Sequence, residues 1–336
     1  MERINVAIAG LGGIGRKVAE LLYARREQYA RTYGVDLRLV AVCGSRAGRA
    51  DSQGLSATDL EQLLPGQCGP GFILGAEPHI LIEAGPTDIR TGLPGLDYIG
   101  PALDRGIHSI VISKGALVAA GPRLRQKAAA SGARLKVSGA TAAALPTIDL
   151  LKYGLLGCEI HSIEGILNAT TNYLLSAIAE DRMSLQDAIL RAQGRSMTES
   201  DPSKDIEGWD TAAKLLILAN FGMAADLSLD DVAVDGIQHL TLAAIDDWRA
   251  QGKVPKLIGR VTRQNGGFLA TVGVEPVAAD DVFAMVSGKT KALRVDTDVM
   301  GEIVSIGTAS EPAGTAAAAL KDLEHILRER TVGTGM

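Results

Sequence analysis

The segment "ESDPSKDIEGWDTAAKLLILANFG", Glu199 to Gly222, combines two kinds of chemistry. Glu199, Asp201, Asp205, Glu207 and Asp210 crowd its first half, while Lys214 is the sole charge between Thr211 and Ala225. In a helix starting at about Glu207, Asp210 and Lys214 are four residues apart and share a face, with the acid on the N-terminal side. An exposed pair at that spacing contributes only about 0.3–0.5 kcal/mol. The apolar surroundings change its meaning, because a buried lysine is costly unless it is paired or loses its proton. A lysine held beside carboxylates in such a place suits proton transfer. The plainer alternative is a lysine that reaches past its partner to solvent. Glu199, Asp201 and Asp205 flank Pro202 and so read as a loop, where like charges repel unless a cation lies between them. That cation is either a metal or an ammonium group on a substrate. No histidine lies nearby to complete a metal site, so no metal is expected.

A second lysine, Lys114 in "VISKGAL", follows a strand-like run. The C-terminal ends of parallel strands are where α/β sheets place ligands, so Lys114 is a candidate to hold the other end of an amino acid or to act at its carbonyl. The elements that must position these residues begin at the N-terminus. "INVAIAG" is a short apolar run without alternation, as in a strand buried on both faces. It runs into "GLGGIG", where Gly10, Gly12 and Gly15 fit G-x-G-x-x-G, and then into "RKVAELLYARREQYARTYG", a helix. With Gly13 and Ile14 between them, these residues form a turn whose backbone N–H groups can approach a pyrophosphate at a helix N-terminus. Further strands, "LRLVAVCG", "HILIEAG", "HSIVIS" and "ARLKVSG", alternate with helices over about 140 residues. The expected fold is α/β, a Rossmann-type doubly wound parallel sheet. Where an NAD site usually carries Asp or Glu, at the end of the second strand, this chain has Gly44, Ser45 and Arg46, with Arg49 beyond. A hydroxyl and a guanidinium suit a 2′-phosphate, so NADP is favoured and NAD stays open. A solvated surface arginine is the bland reading of Arg46.

After Val137 the pattern changes to helices such as "TNYLLSAIAED", the strand "CEIHSIEGILN", and "KLIGRVTR" and "GGFLATVGVEPV" around a Gly-Gly turn. This is the signature of an α+β domain. The expected division is a dinucleotide-binding domain over 1–137, with the helix 313–330 packing back on it, and an α+β substrate, catalytic and dimerisation domain over 138–312. The chain has 336 residues, 46% hydrophobic, and a net charge of −5. With no basic stripe carrying aromatics, nucleic acid is an unexpected partner. No apolar run reaches the roughly 18 residues of a membrane span. "MERINVAIAG" enters a strand at once, without a leader. Cys43, Cys68 and Cys158 lack disulfide or metal spacing, which fits a cytoplasmic protein.

"EGILNATTNYLL" followed by "ESDPSKDIEGWDTAAKLLILA" resembles the catalytic signature of homoserine dehydrogenase. The resemblance runs from the glycine loop through "SKGALVA" to "GTAAAALKDL". It implies reversible NAD(P)-dependent interconversion of L-aspartate 4-semialdehyde and L-homoserine, and a homodimer. It also implies that Glu199, Asp205 and Asp210 bind substrate, that Lys214 is the catalytic lysine with Lys114 as the other active-site lysine, and that Thr170 contacts substrate. Asp210, beside Lys214, is counted with the catalytic group. The chain ends without the ACT-type regulatory domain of many members, so feedback through such a domain is not expected. Departures fall at the substrate rim: Ala169 for the usual glycine, Ser138 for a glutamate that binds a monovalent cation, Ala144 for a glycine, and an altered Gly307–Glu311 segment. They keep open a related reductase acting on another amino-acid semialdehyde or keto acid. A non-catalytic dinucleotide sensor is the remaining alternative, opposed by the joint presence of Lys114, Glu199, Asp210 and Lys214.

Overall fold

The computed structural model describes residues 1–195, 197–198, 200–308 and 312–333, with side chains through residue 330. Strand β1 (Glu2–Ala9) is buried without a break from Val6 to Ala9, so both its faces need cover. It leads into α1 (Gly13–Tyr33), β2 (Val35–Cys43), β3 (Ala47–Ala50), β4 (Leu64–Pro65), α2 (Pro70–Gly75), β5 (Ile80–Glu83), α3 (Gly95–Asp104), β6 (His108–Val111), α4 (Gly115–Ser131) and β7 (Leu135–Lys136). These strands form one sheet in the order β4-β3-β2-β1-β5-β6-β7. From β2 to β7 the pairing is parallel. The edge formed by β3 and β4 is antiparallel. That edge departs from a wholly parallel sheet, and its sequence gives little sign of it. "AGRA" and "LP" carry no apolar run and become strands only by pairing beside the end of β2. The order of parallel strands reverses between β1 and β5, the switch point beyond which α/β sheets bind ligands.

A second compact unit covers Leu145–Ala309. It contains α5 (Thr147–Asp149), β8 (Ile160–Ile166), α6 (Ala169–Asp181), α7 (Leu185–Gly194), α8 (Ser203–Ile206), α9 (Trp209–Gly222), β9 (Val232–Val234), α10 (Leu242–Ala250), β10 (Lys253–Gln264), β11 (Gly267–Ala278), β12 (Lys291–Thr297) and β13 (Gly301–Gly307). Its sheet has the order β13-β12-β8-β10-β11-β9. The β10–β11 hairpin turns at Asn265 and Gly266, one residue before the expected Gly-Gly pair, because Gln264 already pairs with Gly267. Helix α9 lies on this sheet at close range. A Cβ built on Gly259 of β10 would stand 3.1 Å from Thr211 Cγ2, so the glycine is what lets the helix approach.

The chain then returns to the first unit in α11 (Ala313–Gly333), and that unit comprises Met1–Ala144 with Ser310–Met336. Ala316, Ala319, Leu320, Leu323, Ile326 and Leu327 of α11 join Ile4, Val6, Val18 and Leu22 in one buried core. Residues 138–144, assigned to the second domain on sequence grounds, fall with the first unit. Ser138 is tied to α11 there, its backbone N–H (2.9 Å) and hydroxyl (2.7 Å) both donating to the Asp322 carboxylate.

Candidate active site

The second unit gathers its polar groups where β8 ends and α6 begins. Asn168 is the N-cap of α6, and its Oδ1 accepts from the Thr171 N–H at 2.9 Å. That bond fixes the amide orientation and turns Nδ2 the other way. Nδ2 donates one hydrogen to Asp205 Oδ1 at 2.6 Å and the other to Asp210 Oδ2 at 2.8 Å. Lys214 Nζ donates to Asp210 Oδ2 at 2.5 Å and to the Leu167 carbonyl at 3.1 Å. From Thr211 to Phe221 every residue is buried except Lys214, whose side chain keeps 12% of its surface exposed. The lysine is therefore neither sealed in the core nor free on the surface.

Of the four acidic candidates among the described residues, Asp205 and Asp210 converge. Asp205 sits on the short helix α8 rather than on a loop. Gly208, left-handed at φ 87°, separates that helix from α9, which starts at Trp209 rather than near Glu207. Asp201 is exposed; the Ser203 hydroxyl, and then the Ser203 N–H that it accepts from at 3.1 Å, lower its carboxyl. Glu207 is exposed. Glu199 lies outside the described residues, as do Ala309 to Glu311 of the altered late segment. Burial, and then the charge of Asp210, push the Asp205 carboxyl above its ordinary range; hydrogen bonding from Asn168 and the Lys214 charge pull it back. Thr170, half-buried on the first turn of α6, donates its hydroxyl to the Met197 carbonyl at 3.4 Å and also interacts with Asp205. Asn168 was missed on sequence grounds, although an asparagine just before "ATTNYLL" is an N-cap signal.

The first unit holds the glycine loop. Gly10 has φ +103°, and a Cβ there would lie 2.4 Å from the Ala84 backbone; on Gly15 it would lie 2.0 Å from the Gly10 carbonyl oxygen. On Gly12 or Gly13 it would meet no protein atom within 4 Å. Packing thus demands two of the glycines, while the other two leave a bare backbone cradle. No side chain caps α1, so the N–H groups of Gly13, Ile14 and Gly15 sit at a helix N-terminus suited to an anion. These residues fit a dinucleotide pyrophosphate. Ser45 and Arg46 are exposed just beyond β2, whereas Arg49 is committed to Asp59 at 2.9 Å and to the Gln62 carbonyl at 3.0 Å. Lys114 is the N-cap of α4, just past β6, and its backbone N–H donates to Thr87 Oγ1 at 3.3 Å.

A family model described as homoserine dehydrogenase matches residues 146–323, and one described as the homoserine dehydrogenase NAD binding domain matches residues 10–138. The chain belongs to the homoserine dehydrogenase family. The homoserine dehydrogenase of Methanocaldococcus jannaschii is 31% identical over 96% of this chain and 98% of its own. The NAD(+)-dependent homoserine dehydrogenase of Pseudomonas canavaninivorans is 31% identical over 98% of each. A crystal structure of an Archaeoglobus fulgidus protein assigned to the same family has a TM-score of 0.88 at 33% identity, covering 96% of this chain and 99% of that one. At position 138 Ser138 brings no carboxylate, and its hydroxyl donates to Asp322.

Proposed function

We propose that this chain interconverts L-aspartate 4-semialdehyde and L-homoserine with a nicotinamide dinucleotide. The reading rests on the family and on one observation, the Asp205–Asn168–Asp210–Lys214 cluster. A bound dinucleotide supplies or accepts the hydride. The glycine loop residues Gly10, Gly12, Gly13, Ile14 and Gly15 cradle its pyrophosphate. Ser45 and Arg46 receive a 2′-phosphate, which makes NADP the preferred form.

Lys214 carries three hydrogens when protonated. Two are used on Asp210 and Leu167, which leaves the third for the substrate oxygen. Charge developing on that oxygen during reduction is met by a donor held in place beforehand. Asp210 keeps Lys214 oriented. Asp205, with Glu199 and Thr170, holds the amino-acid end, the carboxylates pairing with its ammonium group. Lys114 acts at the substrate's carboxylate or carbonyl.

Two further readings concern the whole protein. The resemblance to the family suggests a homodimer, which light scattering would test. Three unpaired thiols, Cys43, Cys68 and Cys158, fit a cytoplasmic protein.

The deciding experiment offers the purified chain aspartate 4-semialdehyde, then bulkier semialdehydes and keto acids, with NADPH or NADH, and follows loss of reduced nicotinamide. Turnover is expected with aspartate 4-semialdehyde, and Lys214→Ala should lower kcat by about 10²–10⁴ with dinucleotide affinity retained. Turnover confined to another substrate would transfer the reading to the related reductase, to which Ala169 at the rim points. Near-normal turnover of a folded Lys214→Ala protein would make the lysine structural.

A further inference from the structure

Glu83 ends β5 with only 1% of its surface exposed, an expensive place for a carboxyl unless donors surround it. They do. Oε1 accepts from the Gly85 N–H at 2.8 Å, and Oε2 accepts from the Ser113 hydroxyl at 2.6 Å. The Ser113 backbone N–H is a further donor to the same carboxyl. Ser113 is itself 5% exposed and immediately precedes Lys114. One buried carboxyl thus ties the end of β5 to the turn that leaves β6.

The segment after Glu83 grips Lys114 from its other side. Thr87 Oγ1 accepts from the Lys114 N–H at 3.3 Å. A Cβ on Gly115 would stand 2.5 Å from the Asp88 carbonyl oxygen, so the first residue of α4 lies directly on this segment's backbone. Asp88 stiffens the segment by accepting from the Arg90 N–H at 2.9 Å and the Thr91 hydroxyl at 2.7 Å. Lys114 therefore stands between two residues, Ser113 and Gly115, that are both fixed to β5 and its loop.

We propose that Glu83 is a positioning residue for Lys114, acting through Ser113 to set where the lysine side chain leaves the backbone. This rests on the reading of Lys114 as an active-site lysine. Burial raises the Glu83 carboxyl above its ordinary range, and the Ser113 and Gly85 donors pull it back. Each of its oxygens faces a donor, whereas a glutamine presents one acceptor oxygen and an NH₂ that must face a donor. Glu83→Gln should therefore disturb this turn without changing side-chain size.

A double-mutant cycle tests the proposal, with kcat, substrate KM, dinucleotide affinity and melting temperature measured for each protein. Glu83→Gln should lower kcat by about tenfold to a hundredfold, the loss expected of a group displaced by an ångström. Dinucleotide affinity should change much less. In a Lys114→Ala background, Glu83→Gln should lower kcat little further, because its target is gone. Should Glu83→Gln fail to fold, Ser113→Ala removes the hydroxyl donor alone and must show the same dependence on Lys114. An undiminished fold-loss on the Lys114→Ala background, or wild-type kcat in Ser113→Ala, overturns the positioning role. Unchanged turnover of Lys114→Ala by itself would instead overturn the reading of Lys114.

Discussion

At single residues, charge and burial decide what each group can do. Arg46 stands exposed beyond β2 with no acid at the end of that strand, while Arg49 is held by Asp59. Arg46→Ala should weaken NADPH binding roughly tenfold to a hundredfold, from loss of charge-assisted bonds, and leave NADH binding nearly unchanged. Equal losses for both cofactors in a binding titration would remove Arg46 from the 2′-phosphate site. Asp205 poses the opposite problem, since burial and Asp210 hold its carboxyl above the ordinary range. A carboxyl raised in the folded state binds its proton more tightly there than when unfolded. Its contribution to stability is therefore full below the unfolded value and is lost as pH rises through the folded one. An ionised Asp205 costs stability at neutral pH, in keeping with its proposed role in binding. Asp205→Asn should raise the melting temperature by on the order of 1–3 °C while raising KM for the amino-acid substrate. A lower melting temperature together with an unchanged KM would show the carboxylate to be structural. For the same reason the wild-type KM should rise as pH falls through the Asp205 titration.

Elements turn these residues into a site. Helix α1 begins at a loop where two glycines serve packing and two leave open space. Gly15→Ala should destabilise the protein strongly, because its methyl would overlap the Gly10 carbonyl oxygen. Gly12→Ala, with nothing in its way, should melt near the wild-type temperature and still lose about tenfold or more in dinucleotide affinity. Thermal melts beside cofactor titrations separate the two, and a Gly12→Ala protein with normal affinity would show that the cradle is not used. In the second unit, the N-cap of α6 supplies the amide that keeps Asp205 and Asp210 together, and α9 supplies Asp210 and Lys214 at helical spacing. The Asp210–Lys214 pair could be read from a spacing of four. The Asn168 link could not, because it joins residues 37 and 42 positions apart.

Across the molecule, the C-terminal helix α11 completes the core of the first unit, and Asp322 on it takes both donors of Ser138. Because Ser138 brings no carboxylate to this position, activity should be independent of sodium and potassium. Replacing them with a bulky organic cation at constant ionic strength checks this, and a saturable activation by potassium would refute it. Much of this protein was determined by the order of its residues alone. The apolar strand running into G-x-G-x-x-G specifies a strand–turn–helix, because only glycine tolerates the backbone approaches at Gly10 and Gly15. The apolar run after Gly208 specifies a buried helix, and a spacing of four puts Lys214 over Asp210. Tertiary structure decided which of the described acids converge. Asp201 and Glu207 lie in the same short stretch as Asp205, yet Asp201 accepts from the Ser203 N–H and Glu207 faces solvent. Tertiary structure also paired β3 and β4 into a sheet edge, and it set Glu83 beneath Ser113 and Asp322 against Ser138. Periodicity reports which face of an element is apolar. Pairings between distant elements depend on how strands and helices close on one another, and no local pattern encodes that.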